Sequence, residues 1–161
     1  MLRLTLLEVV LRILPEEFLV IFAVYVFSKT VINVEKYMKS SIIYIIAVYV
    51  IRFLPIQYGV HSILNIIIII ILTVNINKIS IIKSIQASLM TVILLFICEG
   101  INVFIVQYVF KVNVKYVFSQ PLSKIVYSTP SLVIFALIVF TYYIYLVKKN
   151  KLSEVMNGEI I

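Results

Sequence analysis

Glu99 stands alone in the run "ILLFICEGINVF", and no other charged residue occurs between Lys83 and Lys111. A carboxylate in so apolar a segment has three uses: to carry a proton, to bind a cation, or to pair with a cationic side chain across a helix interface. Arg52 and His61, both in "VIRFLPIQYGVHSIL", are the candidate partners, and the structural alternative is a polar clamp or a carboxyl group bonded to Asn102 one turn on. Glu8, Arg12 and Glu16 recur at i, i+4 and i+8, which places them on one face of a helix. Each carboxylate can then pair with Arg12, and the stripe is expected to face protein or a wet groove. His61 and Asn65, four apart, share a face of another helix, where an imidazole and an amide could assist a base.

Catalytic sets remain incomplete. Adjacent Glu16 and Glu17 with His61 and Asn65 resemble the polar set of intramembrane CAAX-type proteases, which activate water with glutamates, histidines and an asparagine. Here no Arg follows four residues after Glu17 and no second His exists. His61 and Cys98 would form a nucleophile and base pair only if their separate helices met, and Cys98, in an apolar run, reads as a small buried hydrophobe. Three glycines, at 59, 100 and 158, and a single His exclude phosphate-cradling loops and zinc-ligand spacings. The expectation is a protein that is not an enzyme and takes no cofactor or metal.

The elements that must position these residues follow from composition. Of 161 residues 63% are hydrophobic and 13% charged, and the mean hydropathy is +1.17, which leaves too little polar surface for a water-solvated globule. The expected fold class is all-α: a polytopic membrane helix bundle of about five transmembrane helices. Each crossing of a hydrocarbon core takes roughly 20 residues, so the length holds one bundle and no second domain. Acidic and basic residues interrupt the first twenty positions, so a cleaved signal peptide is not expected.

Charged residues punctuate the spans. They are expected at about 4–28, 37–54, 61–75, 84–110 and 129–147, followed by a short basic tail, 148–161. The first is expected to be one helix kinked at Pro15, the alternative being a new start at "PEE" with Pro15 in the first turn. In the second, Lys39 and Arg52 should reach opposite interfaces. Pro55 and Gly59 should make a tight hairpin before His61 opens the third helix, and Asn77, Lys78 and Ser80 should mark the turn into the fourth. Ser128 or Thr129 is the expected N-cap of the fifth, with Pro130 at its first position. Lys111 to Ser128 should lie in the interface, with one amphipathic turn from Pro121. Tyr37, Tyr58, Tyr108, Tyr116, Tyr127 and Tyr145 fit an aromatic belt. The absence of GxxxG predicts packing through Ile, Leu and Val.

Five crossings put the termini on opposite sides. Lys29, Lys36, Lys39, Lys78, Lys83, Lys148, Lys149 and Lys151 on one side outnumber Arg3, Arg12, Arg52, Lys111, Lys115 and Lys124 on the other, favouring a cytoplasmic C terminus and an outside N terminus in a cell membrane. The net charge of +7 then needs no nucleic acid, since lysines at membrane edges contact anionic lipid.

The segments "LEVVLRILPEEF", "RFLPIQYGVHSIL", "KISIIKSI" and "YSTPSLVIFALI" together resemble the N-terminal membrane region of clostridial sensor histidine kinases with a GHKL-type ATPase domain, relatives of peptide-sensing quorum receptors. The resemblance covers nearly all of residues 1–150. In those kinases a phosphoacceptor helix and an ATP-binding domain follow the last span, whereas the residues after Lys151, "LSEVMNGEII", carry neither His nor nucleotide-binding glycines. The resemblance therefore implies a sensor-like or regulatory membrane module without its own kinase domain. Its partners would be the lipid bilayer and a histidine kinase or other membrane protein, with a homo-oligomer as a further form. A small transport or substrate-binding membrane subunit is the alternative, with Glu99, Arg52, His61, Asn65, Glu8, Arg12 and Glu16 lining a wet pocket. An intramembrane hydrolase ranks last.

Overall fold

A computed structural model describes residues 9–54, 58–109 and 121–152, and the regular elements among them are helices. A π-helical turn, Val9–Ile13, runs directly into α1, Leu14–Phe27. α2 is Val34–Phe53, α3 is Tyr58–Asn75, α4 is Ile81–Phe104 with a π-helical continuation at Ile105–Val109, and α5 is Pro121–Lys148. Short connections join successive helices up to α4. α4 packs on α1, α3 and α5, while α1 packs on α2, α4 and α5.

The centre of the bundle is α1. Val20, Ile21, Val24 and Tyr25 join Tyr44, Val48, Ile69, Leu72, Ile79 and Ala87 in one cluster; Ala23 and Val26 join Cys98, Phe135, Val139 and Leu146 in another. A helix enclosed on all sides must be apolar on all sides, as this one is beyond Glu17. Its start combines both sequence expectations. The helical chain is continuous across Pro15, which sits in the first turn of α1, and the preceding wider turn accommodates a residue with no N–H to donate.

Two helical segments, Ile81–Tyr108 and Ile125–Lys148, are long and apolar enough to cross a membrane, and Gly59–Asn75 is a shorter apolar helix. Large aliphatic and aromatic side chains such as Ile46, Ile93, Phe96, Phe104, Leu137 and Ile144 face outward, while Ser40, Thr73, Ser84, Ser88, Thr91 and Ser131 are buried.

Packing departs from the expectation of Ile, Leu and Val contacts alone. The buried side chains of α4 are Ser84, Ala87, Ser88, Thr91, Cys98 and Asn102, a stripe of small and polar residues at helical spacing. Small residues let helix backbones approach closely, and hydroxyls bond locally or across: Thr91 donates to the Ala87 carbonyl at 2.8 Å, and the Thr73 and Ser84 hydroxyls bond each other. Cys98 is one of these small packing residues. Among the described residues glycine is not used for close approach, since a Cβ at Gly59 or Gly100 would meet nothing within 4 Å.

Three helix starts also differ from expectation. α5 begins at Pro121, so Ser128 and Thr129 are not caps and Pro130 lies inside the helix. Local hydroxyls bond the carbonyls around this break: Ser128 and Thr129 donate to Ile125 at 3.1 and 2.7 Å, and Ser131 donates to Ser128 at 2.7 Å. α3 begins at Tyr58, so Gly59 belongs to its first turn, and His61 follows inside the helix. Leu54 is extended, with ψ 139°, as a residue before proline must be; Pro55 itself lies outside the described residues. α2 starts three residues earlier than expected because Asn33 caps it, its Oδ1 accepting the Lys36 N–H at 3.1 Å.

Three helix ends that lie on one side of the bundle use left-handed residues other than glycine. Lys29 (φ 54°), Lys78 (φ 58°) and Asn150 (φ 47°) terminate α1, α3 and α5. α1 and α5 close with the paired bonds of a Schellman motif: Thr30 and Lys29 donate to Tyr25 and Val26, and Lys151 and Asn150 donate to Leu146 and Val147. α3 ends in a wider version, with Ile79 donating to Thr73 at 3.1 Å.

Candidate functional site

The polar side chains of α1 gather partners from two other helices. Consecutive residues on a helix diverge by about 100°, so Glu16 and Glu17 face different neighbours. Glu16 Oε2 lies 3.5 Å from Arg12 Nε one turn back, and Arg12 Nη2 reaches across to Glu99 Oε1 of α4 at 3.4 Å. Glu17 turns toward α2, where Arg52 Nη2 lies 4.0 Å from its Oε1 and the Tyr44 hydroxyl hydrogen-bonds to it.

Burial differs along this network. Glu17 is enclosed, its side chain 5% exposed, whereas those of Arg52 and Glu99 are 35% and 37% exposed. A buried carboxylate is tolerated only with a charge partner and hydrogen bonds, and Glu17 has both. Among the described residues the network joins three carboxyl groups, of Glu16, Glu17 and Glu99, to two guanidiniums, of Arg12 and Arg52. Glu99 lies ten residues before the end of the π-helical turn, which at 1.5 Å per residue is about 15 Å along the axis.

The partner of Glu99 differs from the sequence expectation: the guanidinium that pairs with it belongs to Arg12, and Arg52 pairs with Glu17. Asn102 does not clamp Glu99 either; its amide donates to the Tyr127 carbonyl of α5 at 2.7 Å, tying α4 to α5. The pairing of Arg12 with Glu16 is as expected from their spacing, and Glu8, the other end of that stripe, lies outside the described residues. His61 and Asn65 are partly buried in the first half of α3. Tyr44 escaped the sequence reading although it stands eight residues before Arg52, two turns along the same face of α2.

Among the described residues no group of three or more His, Cys, Asp and Glu side chains is placed to hold a metal ion. What the arrangement can do chemically is couple helices: Arg12 bridges α1 to α4 and Glu17 bridges α1 to α2. At the other end of α2, Glu35 and Lys39 form an exposed pair, Lys39 Nζ donating to Glu35 Oε1 at 2.6 Å. That hydrogen bond and charge hold the Glu35 carboxyl below its ordinary value of 4.5.

Of the tyrosines expected in an aromatic belt, Tyr108 is exposed and packs its ring on Phe104 with centroids 4.6 Å apart. Tyr37 instead turns inward and donates to the Phe18 carbonyl at 3.0 Å, and Tyr116 lies outside the described residues. Comparison with known proteins finds no matching family model, no similar curated protein and no matching solved structure.

Proposed function

We propose that this protein is a multi-pass membrane module with five spans, an outside N terminus and a cytoplasmic C terminus, acting as the sensor-like or regulatory part of a signalling system. The observation that carries this reading is the ionic network that joins α1, α2 and α4 in the half of the bundle remote from the lysine-capped helix ends. A charged group within an apolar helix is by default a functional hypothesis, weighed against the structural reading of a polar clamp between helices. A ligand group that competes for Arg12 would change how α1 is held against α4. The continuous α5, ending at Lys148 and followed by Lys149 and Lys151, is the element that would report such a change to a histidine kinase or other membrane partner.

The transport or substrate-binding alternative draws on the same network, because Glu99 and Arg52 remain partly exposed. A hydrolase draws the least support, since Glu16 and Glu17 are engaged by guanidinium and phenol groups rather than left to activate water.

The test is to express the full chain with a C-terminal reporter and identify what purifies with it. The expected result is an integral protein with a cytoplasmic C terminus, bound to a histidine kinase whose autophosphorylation changes on Glu99→Gln. An external C terminus, or solute uptake that depends on the chain with no kinase bound, overturns the sensor reading.

A further inference from the structure

The outward surface of α5 carries an apolar groove of about 610 Å³ lined by Leu137, Ile138, Thr141, Tyr142 and Tyr145. Leu137 and Ile138 are exposed, and the one aliphatic hydroxyl of the wall, that of Thr141, donates back to the Leu137 carbonyl at 2.7 Å. The groove therefore offers an occupant apolar contact along about 12 Å of helix. At its lower end the Tyr142 and Tyr145 rings stack, with centroids 6.2 Å apart and planes 14° apart, and Lys149 Nζ sits 4.9 Å from the Tyr145 centroid.

The described charged residues that follow the groove along the chain, Lys148, Lys149 and Lys151, are all positive. Residues at spacings of three and four from Ile138, Thr141 and Tyr145 lead directly to Lys148 and Lys149, so the lysines continue the same stripe. The helix end is closed by the bond from Lys151 N–H to the Leu146 carbonyl, which holds Lys149 and Lys151 on either side of left-handed Asn150. No acidic residue occurs between Glu99 and Glu154 to neutralise them.

From this complementarity, an apolar channel that ends in clustered ammonium groups, we infer that α5 binds an anionic phospholipid, one acyl chain lying in the groove and the headgroup phosphate resting on Lys148 and Lys149. The inference rests on the membrane placement proposed above. The cation–π contact keeps Lys149 against Tyr145 rather than free to extend into water, which orders the headgroup site before lipid arrives.

Native mass spectrometry of the full chain, released from detergent after equilibration with phosphatidylglycerol or phosphatidylcholine, tests this. Phosphatidylglycerol is expected to be retained in preference, and Lys148→Gln with Lys149→Gln should weaken it by roughly 30-fold, the effect of two juxtamembrane cations. Lys36→Gln with Lys39→Gln removes the same charge elsewhere and should change binding by less than about 2-fold, since charges away from the bound headgroup are screened. Thr141→Trp, which fills the groove from a lipid-facing position, should weaken long-chain lipid and spare the short-chain dihexanoyl form.

Equal retention of the two lipids, equal effects of the two lysine pairs, or a second copy of the chain occupying α5 would each overturn the site. Failure of the underlying membrane placement looks different: the protein would be stripped from membranes by alkaline carbonate before any lipid preference could be read.

Discussion

Replacing Arg12 with Met removes the one guanidinium that lies between Glu16 and Glu99. Its two contacts, at 3.5 and 3.4 Å, would each be worth about 5 kcal/mol of Coulomb energy at an effective dielectric near 20, before desolvation is subtracted. Breaking a fully buried pair by deleting one partner costs about 3–5 kcal/mol. Arg12 is 21% exposed and Glu99 37%, so solvent screening brings the expected loss of stability down to about 2 kcal/mol. The carboxylates left behind repel each other, so Glu99→Gln in the same chain should recover much of that loss. The assay is a double-mutant cycle of Arg12→Met and Glu99→Gln, followed by reversible unfolding in mixed micelles. A coupling energy of about 1–2 kcal/mol is expected for a direct pair in one network. Additivity within about 0.5 kcal/mol would refute the pairing and with it the proposal that Arg12 fastens α1 to α4.

Two further outcomes test local features. Because Lys39 lowers the pKa of Glu35, the pair contributes stability above the unfolded carboxyl value of 4.5 and loses it as pH falls through the depressed folded value; carbon-13 NMR of the Glu35 carboxyl should show its midpoint rise on Lys39→Gln, and an unmoved midpoint contradicts the hydrogen bond. Lys78→Gly should raise stability by about 1 kcal/mol in the same unfolding assay, because glycine takes a φ near 58° without a Cβ penalty; a loss of stability would place the Lys78 side chain in contacts that outweigh the backbone relief.

Composition alone determined that this chain is helical and built around apolar segments, because so few charged residues leave long uninterrupted runs between them. The ends of those runs were legible where a residue acts through its own backbone or its near neighbours. Lys78 and its neighbours marked the turn before α4, and the spacing of Arg12 and Glu16 foretold their ion pair. Pro130 misled, since proline favours a helix start in isolation, yet the helix that begins at Pro121 runs through it to Lys148. Gly59 misled in the same way: it has the chemistry of a turn residue and sits in the first turn of a helix.

Only the tertiary structure decided who meets whom across helices. Glu99 could have taken any of several cationic partners, and the choice of Arg12 depends on the rotation of α1 against α4, along which Ala87 and Cys98 pack in the same clusters as α1. The same rotation sends Glu17 to Tyr44 and Arg52. Spacing along one helix settles contacts within a few turns, because the backbone fixes their geometry. Contacts between helices depend on which faces bury together, and that is a property of the assembled bundle.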